Sequence, residues 1–278
     1  MHNASVDDVR NYWSGAPLLS YEVAELESPL YFHRLNEAKV TDSERFSFPY
    51  WDFDGFSGRD VLDIGCGPGW IAVQYAMGGA NVSAVDLTDR AVELTREHCA
   101  MKHVTADICQ GNAEDLPFDD NSFDLVVASG VLHHTPNTLQ AFREAFRVTR
   151  PGGHGKITLY RKGIAHNPLV FGLTKKVMRL LDMRHPGADL ASLSSDVDDF
   201  IRRYDGDGNP VGIGKTNTDW ADDLRASGWT IDGWEVHFFP RRFLPMASIM
   251  PYWMHRFCDR TLGTMVYFYL TKPPGALS

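Results

Sequence analysis

Three glycines on alternate positions, Gly65, Gly67 and Gly69, follow at once on the run Val61-Leu62-Asp63-Ile64 and precede a helical pattern that begins at Trp70. Glycine lets a backbone approach a ligand, and the amides of a helix N-terminus favour a carboxylate, so this turn is a binding element. A dinucleotide fingerprint needs its third glycine one place later, where this chain has the bulky Trp70. The spacing suits a cofactor without a pyrophosphate. About 20 residues further on, Asp86 ends the next apolar run, where a carboxylate accepts both hydroxyls of a ribose and repels a 2′-phosphate. Gly111-Asn112-Ala113-Glu114-Asp115-Leu116-Pro117-Phe118 and, after Phe123-Asp124, Ser129-Gly130-Val131-Leu132-His133-His134 complete an ordered set.

These pieces need a scaffold of strands and helices. From position 61 short β-branched runs alternate with longer periodic ones, the pattern of a parallel sheet covered by helices. Strands are expected at Val61 to Ile64, Asn81 to Asp86, Val104 to Gln110, Phe123 to Ser129 and Gly155 to Tyr160, the last entered through Pro151-Gly152-Gly153. Helices are expected at Trp70 to Met77, from Thr88 to about Lys102, and at Thr138 to Val148. Outside this core, residues 1–56 are rich in aromatics without a clean period and read as a wrapping cover. Residues 163–217 read as an insertion or lid with an amphipathic stretch at Leu169 to Leu181. Residues 218–278 return to the sheet through a capped helix and strands at Thr230 to Phe239 and Thr264 to Thr271. The apolar insertion at 241–262 holds Met246, Met250, Trp253 and Met254, which read as core.

The 278 residues carry 36 acidic against 27 basic side chains, a formal charge of −9, with 44% hydrophobic and 23% charged residues. This is the composition of a packed globular chain, and its acidity argues against nucleic acid as a partner. The local cluster Arg161, Lys162, Lys175, Lys176 and Arg179 reads as a solvated helix face. Four scattered cysteines make neither a disulfide framework nor a metal knuckle, so reduced thiols, a cytoplasmic setting and no metal are expected. The N-terminus lacks a signal peptide's basic and apolar regions, and no run is long enough to span a bilayer; contact with a membrane surface stays open.

Taken together, Asp63-Ile64-Gly65-Cys66-Gly67-Pro68-Gly69, Asp86, Leu116-Pro117-Phe118 and Leu132-His133-His134 resemble the class I S-adenosylmethionine-dependent methyltransferases, in their small-molecule branch. The resemblance covers residues 57–162 well and 218–273 by pattern. It implies a Rossmann-like, seven-stranded α/β sheet with the last strand antiparallel, helices on both faces, and S-adenosyl-L-methionine across the C-terminal strand ends. On it, Gly65, Gly67 and Gly69 approach the methionine end and Asp63 supports that end. Asp86 with the adjoining Leu87 holds the ribose side, Asn112 and Ala113 flank the adenine, and Ser129 lies at the fourth strand's end. Related motifs often have aspartate where this chain has Asn112, whose amide oxygen still accepts from an amino group. The Asn-Pro-Pro-Tyr element of adenine-N6 enzymes is absent after the fourth strand, which disfavours DNA methylation.

Methyl transfer from a sulfonium is an in-line displacement, so holding the nucleophile near the methyl and excluding water matter most. The cover segments then imply a small-molecule acceptor with an apolar or aromatic part. An oxygen or acidic carbon nucleophile also needs a base, for which His133 is favoured over His134, with Tyr21 as a further catalytic candidate. Tyr12, Tyr31, His166 and His237 are alternatives, and Arg161, Arg241 and Arg242 are partners for an anionic group. The expected reaction is O- or N-methylation of a specialised metabolite. C-methylation of a ring or prenyl compound, a non-catalytic cofactor-binding subunit and a nicotinamide oxidoreductase remain open, as does a homodimer. Gly214-Lys215-Thr216 and Asp205-Gly206-Asp207-Gly208-Asn209 begin like phosphate and calcium loops, but each lacks a required glycine and both read as polar loops.

Overall fold

The structure is a computed structural model, described for residues 4–15, 28–163, 166–167, 171–173, 176, 196–206, 208–239 and 250–275. Side-chain alternation builds its sheet. In β1 (Asp60–Ile64) and β4 (Phe123–Ser129), Val61, Leu125 and Val127 pack into one apolar cluster and Leu62, Ile64, Val126 and Ala128 into another. A strand buried on both faces must be apolar on both, which is why these runs are almost continuous. With β2 (Asn81–Asp86), β3 (Asp107–Gln110), β5 (Thr149–Tyr160), β6 (Thr230–His237) and β7 (Met265–Thr271), the order is β3-β2-β1-β4-β5-β7-β6. The first five strands are mutually parallel, and β7 runs antiparallel to both neighbours, as the resemblance implies.

The described helices are α1 (Val6–Gly15), α2 (Pro29–Ala38), α3 (Phe48–Trp51), α4 (Trp70–Met77), α5 (Asp89–Met101), α6 (Thr138–Val148), α7 (Val197–Arg202), α8 (Asn217–Ala226) and α9 (Tyr252–Leu262). Capping sets several of their starts. The Thr88 hydroxyl accepts from the amide of Ala91 at 3.2 Å, and that of Thr216 from Asp219 at 3.2 Å. Ile71, Ala72 and Tyr75 of α4 pack on one face of the sheet, while Phe142 of α6 and Trp220 of α8 pack on the other.

The aromatic N-terminal stretch joins this core. Tyr31, Phe32, Leu35, Tyr50 and Trp51 are buried in the same cluster as Val61 and Tyr267. Tyr50 donates its hydroxyl to the carbonyl of Phe268 at 2.8 Å, and Tyr75 to that of Trp51 at 2.6 Å.

Two strand starts differ clearly from expectation. β5 begins at Thr149, six residues before Gly155, and runs through Pro151 where its register with β4 shifts, a place where a missing N–H is tolerated. β3 is confined to four residues. β4 ends at Ser129, as expected, and His133 and His134 lie on a 3₁₀ turn (Leu132–His134) beyond it.

Candidate active site

The strand ends converge on a cavity of about 240 Å³, walled by Ile64 of β1, Asp86 of β2, Ser129 of β4, Tyr160 of β5 and Met265 at the start of antiparallel β7. α1 contributes Val9 and Trp13, and Phe238, just past β6, closes another wall.

The glycine turn takes its shape from left-handed backbone. Gly65 has φ +70°, and a Cβ there would stand 2.4 Å from the Val131 side chain. Gly67 has φ +52° and nothing within 4 Å of its Cβ position, so it opens onto the cavity as a cradle. Gly69 is different. It caps α4 at φ +77° and packs on Thr95, off the cavity lining.

Asp86 stands at this turn. Its carboxylate accepts from the amide of Gly67 at 3.0 Å and from the amide and hydroxyl of Thr88 at 2.9 and 3.0 Å. Burial outweighs these bonds and raises its pKa. Leu87, Asn112 and Ala113 line the same end; Asn112 Oδ1 already accepts from the Glu114 amide at 3.0 Å and keeps a second lone pair. Asp63, 1% exposed, accepts from the Ala72 amide at 3.1 Å and so ties β1 to the first turn of α4.

Burial pushes the Asp63 carboxyl up to about 7, with the Ala72 amide opposing and Asp86 adding to the rise. A folded-state pKa above the unfolded one means stability that is full below about 4 and is lost as pH rises towards 7. Asp63→Asn should therefore leave the thermal midpoint near that of the parent at pH 4 and raise it relative to the parent at pH 8. Midpoints that track each other across this range would show that the buried charge costs nothing.

The cavity is also lined by a second polar group. His134 Nδ1 lies 2.6 Å from the carbonyl of Val211, and since a carbonyl only accepts, Nδ1 carries a proton. Nε2 then faces Asp205 Oδ2 at 3.2 Å. Tyr160 donates its hydroxyl to both Asp205 oxygens, at 2.7 and 2.8 Å, and Tyr12 of α1 donates to the Asp205 carbonyl at 2.8 Å. Trp13 packs edge-on against the His134 ring.

His133 has another fate. Its ring is fully buried between His134 and Tyr160, off the cavity lining, with no hydrogen-bond partner for either nitrogen among the described residues. Burial, then the neighbouring His134, holds its pKa well below the ordinary value. The base favoured from sequence thus faces the core, and its neighbour faces the cavity.

Glu44 and Lys39, unmarked in the sequence, also line the cavity, 3.4 Å apart. Burial raises the Glu44 carboxyl, but Lys39 and hydrogen bonds from Ser47 and Trp51 outweigh it and leave the pKa lowered. The cavity is therefore walled by four carboxylates, Glu44, Asp63, Asp86 and Asp205, against Lys39 and the His134 imidazole, an excess that suits a cationic electrophile. Among the described residues no group of three or more His, Cys, Asp or Glu is placed to hold a metal.

The other candidates lie elsewhere. His166 packs on Phe171 and Phe200, Tyr31 is in the core, and His237 sits between Glu235 and Asp259. Arg161 donates to the carbonyl of Gly263 at 3.0 Å. Tyr21, Arg241, Arg242 and most of Leu169 to Leu181 fall outside the described residues. Sequence reading passed over Asp205 as part of a polar loop; Tyr160, at the end of the fifth strand, was the available pointer to it.

Comparison with known proteins agrees with this geometry. Residues 62–156 match the Methyltransferase domain family. A ubiquinone biosynthesis O-methyltransferase of Alkalilimnicola ehrlichii is 35% identical over 101 residues, covering 36% of this chain and 41% of that protein. A malonyl-[acyl-carrier protein] O-methyltransferase of Erwinia billingiae is 40% identical over 98 residues, covering 34% and 37%. The chain thus matches about two fifths of the length of these curated relatives. Among solved structures, an S-adenosylmethionine-dependent methyltransferase from Mesorhizobium loti superposes with a TM-score of 0.55 at 21% identity, covering 81% of this chain and 96% of that one. The [4+2]-cyclase SpnF superposes with a TM-score of 0.53 at 20% identity, over 82% and 81%. Residues 62–156 thus match a methyltransferase domain, set within a seven-stranded sheet of order β3-β2-β1-β4-β5-β7-β6.

Proposed function

We propose that the chain transfers the methyl group of S-adenosyl-L-methionine to an oxygen or nitrogen of a small organic acceptor with an apolar or aromatic body, a specialised metabolite in this reading. One observation carries it: a single cavity is lined both by the Gly67 cradle with Asp86 and by the His134–Asp205–Tyr160 group. The relatives' names, both O-methyltransferases, favour oxygen. Trp13, Phe238 and Met265 support an acceptor with apolar surface.

The residues that fit the cofactor are Gly65 and Gly67 at the turn, Asp63 behind it, Asp86 for the ribose hydroxyls, and Leu87, Asn112 and Ala113 around the base. When bound, the cofactor supplies a methyl group on a positively charged sulfur. The chain's own work is to hold and to deprotonate. Asp86 is fixed in place by Gly67 and Thr88, so little ordering is left for binding. α1, with Val9 and Trp13 on the wall, excludes water from the acceptor's side. An acceptor hydroxyl gives its proton to the His134–Asp205 pair: Nε2 takes it, Nδ1 stays bonded to Val211, and the Asp205 carboxylate stabilises the imidazolium. Tyr160 keeps that carboxylate aimed.

Titration calorimetry tests the reading directly. S-adenosylhomocysteine should bind with one site per chain, and NAD should give no heat; binding of NAD alone would replace the proposal with an oxidoreductase. Incubation with methyl-labelled S-adenosylmethionine and extract from the source organism should then label a small product, and cofactor binding without any labelled product would point to a binding subunit.

A further inference from the structure

Most surface helices bury their apolar side and expose their polar side. α9 does the reverse. Its buried residues are His255 and Asp259, whereas Tyr252, Trp253 and Phe257 are 53%, 70% and 64% exposed. At 100° per residue the exposed side chains form one arc in the order Tyr252, Arg256, Arg260, Trp253, Phe257, so two arginines stand among three aromatics. The inward side is anchored by specific bonds. Asp259 meets His237 Nδ1 at 2.6 Å and the Phe239 amide at 3.3 Å, and His255 donates to the carbonyl of Phe239 at 2.9 Å. The helix is held rigidly with its aromatic face turned to solvent. Sequence reading expected Trp253 in the core, and its inversion is a finding of the tertiary structure.

We propose that this arc docks on an anionic lipid bilayer. Charge complementarity selects that occupant: in a chain of net charge −9, the face presents Arg256 and Arg260, neither within salt-bridge distance of an acid among the described residues, with Glu235 the acid that Arg260 senses and Asp259 buried. Arginine interleaved with Trp, Tyr and Phe is the composition that settles at a headgroup boundary. A second copy fits less well. A two-fold contact would bring the arginines of both copies together, and an 11-residue helix is about 16 Å long, too short a face for the roughly 800 Å² per partner of a stable dimer. The inward side of α9 is held next to the cavity wall, since Phe238 lines the cavity and the next residue, Phe239, is bonded to Asp259 and His255. Docking there would set the cavity beside the lipid surface. The inference is independent of the reaction proposed above, because its readout is vesicle binding.

Flotation of the full chain with phosphatidylcholine–phosphatidylglycerol vesicles, against pure phosphatidylcholine, tests it. Binding to the anionic vesicles, weakened by salt, is expected. Arg256→Gln with Arg260→Gln should lower the partition constant about thirtyfold, from about 1 kcal/mol per basic residue. Trp253→Ser with Phe257→Ser should lower it by about tenfold or more, with thermal midpoints unchanged because these side chains face solvent. Absence of binding, equal binding to neutral vesicles, or partition unaltered in both variants would overturn the proposal. So would a concentration-dependent dimer that the same substitutions dissociate, which would assign the face to a second copy.

Discussion

Asp86→Ala should weaken binding of S-adenosylhomocysteine by about two orders of magnitude, read by titration calorimetry. A carboxylate that accepts from two ribose hydroxyls makes two charge-assisted hydrogen bonds, each worth about 1.5–3 kcal/mol, so losing both costs about 3 kcal/mol or more. The geometry supports so large an effect because Asp86 is already fixed by the Gly67 amide and by Thr88. Asp86→Asn, which keeps one acceptor oxygen without the charge, should fall between parent and alanine variant. Folding should survive, since burial raises the Asp86 pKa and its charge is therefore a cost to the folded chain. An affinity within threefold of the parent would remove Asp86 from the ribose.

His134→Ala and Asp205→Asn should each lower kcat by about 10²–10⁴, the usual range for loss of a positioned acid–base group, while binding of S-adenosylhomocysteine stays close to that of the parent. The pair is read as one unit: Nδ1 is committed to Val211, Nε2 faces Asp205, and Tyr160 bonds both oxygens of that carboxylate. The double variant should therefore be little worse than the worse single one. His133→Phe supplies the contrast. That ring makes no hydrogen bond among the described residues and does not line the cavity, so kcat should change by no more than a few-fold. Full turnover in both His134→Ala and Asp205→Asn would leave proximity alone to drive the reaction.

The glycine turn and Asp86, the proposed cofactor site, were legible in the sequence for a local reason. A turn such as Gly65 to Gly69 is set by which residues tolerate positive φ, and the run Asp63-Ile64 before it and Trp70 after it place it between a strand and a helix. Asp86 follows from the same logic, as the last residue of a strand whose position the alternation of apolar residues defines. Gly69 already shows the limit. Its type is dictated by its backbone, but only packing reveals that it meets Thr95 and not the cavity.

The His134–Asp205–Tyr160 group, the proposed acceptor side, was not legible, because its parts are distant along the chain. His134 is bonded to Val211, 77 residues away, and Tyr160 to Asp205, 45 away. Between His133 and His134 the sequence offers no distinction of type or spacing; on a 3₁₀ turn successive side chains diverge by about 120°, so one enters the core and the other the cavity. Likewise the residue types of α9 favour a buried aromatic face, and the bonds of Asp259 and His255 to His237 and Phe239 turn it outward.

By itself, then, the sequence determined the alternating strands and helices, the glycine turn and the carboxylate at 86, since each depends on backbone preference and short-range periodicity. The tertiary structure decided which histidine meets Asp205, that Glu44 and Lys39 reach the same cavity, and which face of α9 meets solvent. Those outcomes depend on burial and on hydrogen-bond partners far apart in the chain, and no local pattern encodes them.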